Sequence, residues 1–309
     1  MESNKFIFRK VQKKDISSIL RLFKKTFRKK INKEFYNWRY LKDTYNSFIA
    51  LNRNKIVGHI GFVKYKLSNF DKYIYSRHST FVIPNFQKKG VYYNLLKYSI
   101  SKLRQKTKYI IAWPNSKNLN ASKKHKNFKI IKIYHLFYKS NFSNIRNYKK
   151  LFIKIDNIYF KNIIFDQDNH LFFRNIKFMT WRYGTYKENN YFCLKNKKYK
   201  NFIFQKKNIR GKICFLIIDY YGRNINYSKE INLLINFLIQ KKVNFQLFMP
   251  SKNKKFNYIS KKYKLMKINH DFIIGLYTFG KETKIKNRIE KKIKHDIKIS
   301  DTDVFIETN

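Results

Sequence analysis

The sequence predicts a mixed α/β fold in which one sheet-and-helix unit is built twice in tandem. Three observations carry this. The tripeptide Trp-Arg-Tyr occurs at 38–40 and again at 181–183, and a strand-like segment follows each copy at the same distance. Residues 109–131 and 244–268 share one plan: apolar strand, Pro, Ser-Lys-Asn, a basic helix-like stretch with Ser-Lys-Lys, then another apolar strand. Within the first half, the spacing of apolar residues changes repeatedly between a strand period and a helix period.

The repeat rests on rare residues. Leu51 and Leu194 each stand 13 positions past the Trp of their copy, while Pro114 and Pro250 differ by 136 rather than 143. A few residues therefore differ between the landmarks. Trp and Pro each occur only three times in the 309 residues, so their coincidence weighs more than that of the common lysines. The period is a whole domain rather than a solenoid unit. It divides the chain into 1–142 and 143–309.

The elements of the first copy follow in order. Asp15 is placed as an N-cap, after which Ile16, Ile19, Leu20, Phe23 and Phe27 form a helical stripe. Residues 47–52 and 55–65 read as strands joined by the turn Asn-Arg-Asn-Lys, and 72–83 as a third, rich in aromatic and β-branched residues. From 88 to 104 the pattern is helical, with Tyr92, Leu96, Ile100 and Leu103 on one face. A strand at 108–113, a short helix near 117–126 and a strand from 128 complete the unit. Segments 78–83 and 108–113 are expected to be neighbours linked by a helix crossover.

Composition sets bounds. Apolar residues make up 43% and aromatics 18%, enough for a packed core and too much for a disordered chain. Lys and Arg number 70 against 18 Asp and Glu, a net charge of +52 that attracts any polyanion. The lysines run the whole length without a nucleic-acid motif. Lys, Asn, Ile, Phe and Tyr, all writable with A and T codons, are abundant throughout, the pattern of a coding bias rather than a dedicated patch. That bias does not account for the scarcity of acids. Nucleic-acid binding is expected to be nonspecific. Cys193 and Cys214 lack metal spacing and read as buried thiols of a reducing compartment. The N-terminus has no apolar signal run, and no run of 18 apolar residues occurs, so no membrane span and a cytoplasmic location are expected. Oligomeric state has no sequence signal.

The stretch Val-Ile-Pro-Asn-Phe-Gln-Lys-Lys-Gly-Val-Tyr-Tyr at 82–93 passes from strand to helix through a basic turn. A helix N-terminus offers free N–H groups and the positive end of the dipole. Gly90 lets backbone approach an anion, and Lys88 and Lys89 add charge. One glycine alone reads better as a plain connecting turn.

The surroundings resemble the GNAT acyltransferase superfamily. Gln87-Lys88-Lys89-Gly90-Val91-Tyr92, preceded by Val82-Ile83-Pro84, is similar to that family's Gln/Arg-x-x-Gly-x-Gly/Ala turn. Arg9-x₅-Asp15 resembles its opening, 49–62 its central hairpin, and Ala112–Asn118 with Asn127-Phe128 its later strand and closing Gly-Phe. Trp-Arg-Tyr and the ending Ser-Asp-Thr-Asp-Val-Phe resemble a two-domain branch linked to polysaccharide or cell-surface biosynthesis. The resemblance implies acetyl-CoA as acyl donor and no metal. The donor's pantetheine arm would lie along Phe81, Val82 and Ile83, and its pyrophosphate against Gln87, Lys88, Lys89, Gly90, Val91 and Tyr92, with Asn115 nearby. Tyr92 departs from the pattern, standing where Gly or Ala is commonest. The corresponding turn of the second copy, 217–234, lacks Gln/Arg-x-x-Gly, so one CoA per chain is expected, in the first domain.

Acyl transfer to an amine needs a polarised carbonyl, a base for the amine proton and an acid for the departing thiolate. Val82 or its flanking residues would supply the polarising N–H. The resemblance implies a Tyr on the later helix as acid, but Lys123 stands near that place. His78 is a candidate base, which alternation puts opposite Ser79 and Phe81; His59 and His125 are weaker ones. Glu34 is a second catalytic candidate, and Trp38, Arg39 and Tyr40 are candidates for substrate contact, with core packing as the plain alternative. The acceptor implied is a small amine, such as an amino sugar. Two other functions fit the sequence: an aminoacyl-tRNA-dependent transferase of the peptidoglycan-bridge type, and a basic RNA-binding module without RNA-recognition motifs.

Overall fold

A computed structural model describes residues 6–28, 31–40, 46–68, 72–114, 116–140, 148–161, 163, 165, 172–185, 190–221, 227–251, 253–280 and 283–296. Asn115 and the second copy's turn at 222–226 lie outside them. Among the described residues the chain forms two compact units. One holds the stretch up to Ile131 together with Ile274–Arg288; the other holds Lys132–Ile273 and the stretch from Ile289. Neither unit is one continuous stretch: Ile274–Arg288 belongs to the first, and the second resumes at Ile289.

In the first unit β1 (Ile7–Lys10), β2 (Ser47–Asn52), β3 (Lys55–Lys66) and β4 (Tyr73–Val82) form an antiparallel run. β5 (Tyr109–Ala112) pairs parallel with β4. The last four residues of β12 (Met266–Thr278), Gly275–Thr278, pair antiparallel with β5. A crossover helix, α3 (Val91–Leu103), links β4 to β5, as a parallel pair requires. It is preceded by a 3₁₀ turn, Pro84–Phe86, and so starts later than the apolar spacing alone predicts.

The two faces of this sheet are covered differently. α3 buries Val91, Leu95, Leu96 and Ile100 with Phe62, Tyr75, Val82, Ile110 and Tyr277 on one face. The other face takes α1 (Ile16–Phe27) and α2 (Lys33–Tyr40), where Phe23 and Phe27 meet Phe81 edge-on. Asp15 precedes α1 but makes no side-chain cap. Its carboxylate instead turns back to the Gln12 N–H at 2.7 Å and takes Arg9 at 2.7 and 2.8 Å. The Arg-x₅-Asp spacing is therefore a strand-to-helix brace.

The second unit has the same order of parts. β8 (Tyr191–Leu194), β9 (Phe202–Ile209) and β10 (Lys212–Tyr220) run antiparallel, extended at one edge by β7 (Phe152–Lys154). α6 (Tyr227–Gln240) crosses over to β11 (Phe245–Pro250), parallel to β10. Residues Tyr134–Lys139 of β6 (Phe128–Lys139) pair antiparallel with β11. Helix α4 (Ser116–Lys123) follows β5, and α7 (Lys254–Lys262) follows β11. Cys193 and Cys214 are buried and unbridged. No helix among the described residues is long and apolar enough to cross a membrane.

Candidate active site

Past Ser76, β4 loses its β5 neighbour. The two strands pair at Tyr75–Ile110 and Ser76–Ile111 and no further among the described residues. β3 continues along the other side of β4 to Val82, so backbone groups of β4 that face away from β3 meet no strand from Arg77 onward. Such groups need partners from elsewhere. The Ile83 N–H faces β3, donating to the Val57 carbonyl at 3.0 Å. Val82 faces the open edge, and the Gln87 side-chain amide donates to its carbonyl at 2.9 Å. Gln87 thereby ties the turn to the strand it follows.

Within this open stretch β4 bulges. Gly61 pairs with His78 and His59 with Phe81, so Ser79 and Thr80 share the place opposite Ile60. Ser79 adopts φ +43°, the left-handed region, at a cost of roughly 1–2 kcal/mol for a residue with a Cβ. Three side chains from the α2 face hold it there. Nδ1 of His59 lies 2.8 Å from the Ser79 carbonyl, the Tyr40 hydroxyl donates to Ser79 Oγ, and the Tyr36 hydroxyl lies 3.2 Å from His59 Nε2. Because the carbonyl can only accept, Nδ1 carries the proton and Nε2 accepts from Tyr36. Burial pushes the His59 pKa down to about 4, against the raising effect of the Ser79 carbonyl, so the ring is neutral.

The bulge corrects the expected orientation of His78. Gly61 and His59 are two apart on β3 and share a face, so their partners His78 and Phe81 share it too. His78 is buried there with Ser79 and the His59 ring, which stacks on Phe81 at 5.5 Å. Glu34 is exposed on the first turn of α2. Trp38 is half-buried, and Arg39 and Tyr40 are buried. A glycine is required at 61, since a Cβ built there would lie 2.6 Å from the Tyr40 ring. Gly61→Ala is expected to cost about 1–3 kcal/mol, because Tyr40 cannot withdraw without releasing Ser79. A denaturant melt measures it, and an unchanged midpoint would refute the clamp.

At the surface end of the open edge, Lys88 (φ +61°) and Gly90 (φ +76°) turn the chain into α3. The first helical bond runs from the Asn94 N–H to the Gly90 carbonyl at 3.0 Å. The amides of Val91, Tyr92 and Tyr93 therefore precede it and have no helical acceptor. Gln87, Lys88, Lys89 and Gly90 are exposed. Tyr92 leaves the turn open: its ring packs inward on the α3 core and its hydroxyl accepts from Arg77 Nη1 at 2.8 Å. Lys123 is exposed, whereas its neighbour Ser122 is buried and lies 3.3 Å from Arg77 Nη1.

Sequence reasoning did not single out Tyr36, Ser79 or Arg77. A glycine within a strand marks a bulge or a close approach, so Gly61 carried a signal for the clamp. Nothing local signals Tyr277, which reaches Arg77 across 200 residues of sequence. Among the described residues, no three His, Cys, Asp or Glu side chains gather as a metal set.

The second unit repeats the clamp with other side chains. β10 has an irregularity between Ile217 and Asp219, and the Tyr183 hydroxyl donates to Asp219 Oδ2 at 2.7 Å. In each copy the Tyr of Trp-Arg-Tyr thus bonds a residue at the bulge of the strand before the crossover. The Arg stacks alike on that Tyr, Arg39 Cζ at 5.7 Å and Arg182 Cζ at 5.6 Å from the ring centre.

Residues 8–119 match the family described as "Acetyltransferase (GNAT) domain". No curated protein matches the sequence. Solved structures match the fold. A candidate acetyltransferase from Pyrococcus horikoshii is 14% identical with a TM-score of 0.59, covering 97% of this chain and 95% of its own. GCN5-related N-acetyltransferases from Anabaena variabilis (10%, TM-score 0.61, 88% and 72%) and Kribbella flavida (8%, 0.55, 88% and 70%) are also similar. Residues 8–119 thus resemble a GNAT acetyltransferase domain, and the chain shares the fold of these solved acetyltransferases.

Proposed function

We propose that the first unit binds an acyl-CoA, with acetyl-CoA as the simplest donor, and transfers its acyl group to the amine of a small molecule. The observation that carries this is the open edge of β4 running into the Gly90 turn. A pantetheine arm, itself an amide chain, would replace the missing β5 partner along Phe81–Ile83. The pyrophosphate would meet the amides of Val91–Tyr93 with Lys88 and Lys89 beside it, and Asn115 would lie near the arm. No metal takes part in this reading.

In the transfer the amine nitrogen attacks the thioester carbonyl, the C–N bond forms, and the C–S bond breaks to release CoA. A backbone N–H of the bulged segment, fixed by His59 and Tyr40, would polarise the carbonyl at no reorganisation cost. The acceptor would approach from the α1–α2 face, where His78 is the candidate base. Glu34, Trp38 and Arg39 would act only at the margin of this face. The buried, low-pKa His59 serves as a positioning group rather than a base.

The matching bulges, Tyr clamps and element order of the two units support a tandem duplication, with the second copy giving up the donor site. An amino-sugar acceptor for surface polysaccharide is the finer reading, in a cytoplasmic enzyme. Titration calorimetry with acetyl-CoA at physiological salt is expected to give one site per chain, and two sites or none would overturn the reading. Parallel titration with tRNA tests the aminoacyl-tRNA alternative, since +52 binds any polyanion in dilute buffer. Binding of tRNA that survives physiological salt while acetyl-CoA fails would favour that alternative.

A further inference from the structure

Arg77 is the first residue of β4 beyond the last rung shared with β5. It is 4% exposed. Its Nη1 donates to the Tyr92 hydroxyl at 2.8 Å and lies 3.3 Å from the hydroxyls of both Ser122 and Tyr277, which share its second hydrogen. Among the described residues no carboxylate reaches it, and Nε and Nη2 have no hydrogen-bond partner. Burial by itself would lower its pKa, but the Tyr92 and Tyr277 hydroxyls more than offset that, so the guanidinium stays charged.

A buried cation normally has a buried anion beside it, because desolvation without a counter-charge is expensive. Here three hydroxyls fix one nitrogen and leave the adjoining Nε–Nη2 edge unused. That edge is the one an arginine offers side-on to a carboxylate, two parallel N–H···O bonds at once. The site is therefore half built, with its supporting shell complete and its planar fork vacant of protein partners.

The position decides which anion fits. Arg77 shares the α3 face with Tyr92 and Ser122, whereas the acceptor face lies on the opposite side of the sheet with Phe81 and His78, so the anion belongs to the donor rather than the amine. The donor's phosphates need the exposed amides beside Gly90, at the other end of the open edge. Arg77 meets Tyr92 only at the hydroxyl, the far end of that side chain from its amide, so a pyrophosphate on the helix amides lies beyond direct hydrogen-bond reach of the fork. Only the reacting end of the donor comes to the base of the fork.

We propose that Arg77 is a specificity residue for a carboxylate on the acyl group, so that the preferred donor is the CoA half-thioester of a dicarboxylic acid, of the succinyl or glutaryl class. This rests on the acyl-CoA reading above and names its substrate class. Transfer keeps the same balance of bonds, and the distal carboxylate stays ionised and unreacted on Arg77 throughout.

The test compares CoA, acetyl-CoA and succinyl-CoA by calorimetry on the wild type, Arg77→Gln and Arg77→Lys, with melting curves to establish folding. Wild type is expected to bind succinyl-CoA on the order of 100-fold tighter than acetyl-CoA, the worth of a charged hydrogen-bonded pair. Arg77→Gln should abolish that preference while CoA itself binds as before. Arg77→Lys, which keeps the charge without the fork, should recover only part of it. Failure of CoA to bind the wild type would overturn the donor reading altogether. CoA binding with no preference for succinyl-CoA would overturn this inference alone. So would an Arg77→Gln variant that binds every donor normally but transfers acetyl and succinyl equally slowly, the signature of a group serving the departing thiolate.

Discussion

Asp219→Ala is expected to lower the stability of the protein by about 3–5 kcal/mol, the usual cost of removing one partner of a buried ion pair. Asp219 and Arg174 are both buried to within 1% and pair directly through Oδ2 and Nη1. The carboxylate also accepts from the Tyr183 hydroxyl at 2.7 Å and from the Tyr220 N–H at 2.8 Å. Alanine would remove the carboxylate that pairs with the buried Arg174 and accepts from Tyr183 and Tyr220. Asp219→Asn keeps an acceptor for both donors and removes only the charge, so it should fall between. The double replacement Arg174→Met with Asp219→Leu should recover much of the loss, since an apolar pair of similar volume carries no desolvation penalty. Thermal melts read these differences as a fall on the order of 10 °C for the single alanine. A double variant no better than Asp219→Ala would show that the pair shapes β10 in a way apolar packing cannot replace.

The same residue shows where the sequence was readable. Trp-Arg-Tyr marked the repeat because Trp is scarce, and the structure gives each copy one job: a tyrosine bonding the bulge of the strand before the crossover. The partner of that tyrosine is Ser79 in one unit and Asp219 in the other, so no shared residue type betrays it. The strands and crossover helices were legible because apolar spacing fixes them locally. The bulge was not, since alternation carried through 78–81 assumes an unbroken period of two, and one inserted residue reverses every face beyond it. Arg77 was hidden for a different reason. A lysine- and arginine-rich sequence gives no hint which cation is buried, and its burial depends on Tyr277, which arrives from the far end of the chain. The Gln87–Gly90 turn was legible because its signal lies in consecutive residues, and the structure adds the mechanical link from Gln87 to Val82.

His59 makes the first unit acid-sensitive in a defined window. Its pKa is about 4 in the folded protein against about 6.5 unfolded, so the unfolded chain binds the extra proton throughout that interval. A basic group depressed by folding contributes stability that is fully present above about pH 6.5 and declines as the pH falls. The slope approaches 1.4 kcal/mol per pH unit, and the loss reaches about 3 kcal/mol by pH 4. Protonation also has a local consequence. Nε2 then carries a hydrogen and can no longer accept from Tyr36, while Nδ1 still holds the Ser79 carbonyl. The bulge therefore keeps one of its ties as α2 loosens. His125, whose pKa burial also lowers, titrates in the same direction, so the diagnostic is a difference between proteins rather than one curve. His59→Gln retains an N–H for Ser79 and an oxygen for Tyr36 but cannot titrate. Its stability should match wild type most closely near pH 4–5 and fall below it at neutral pH, with a shallower acid limb. Urea melts from pH 7 to pH 4 on both proteins measure this, and parallel acid limbs would show that the ring is solvated and the clamp at Ser79 is held by Tyr40 alone.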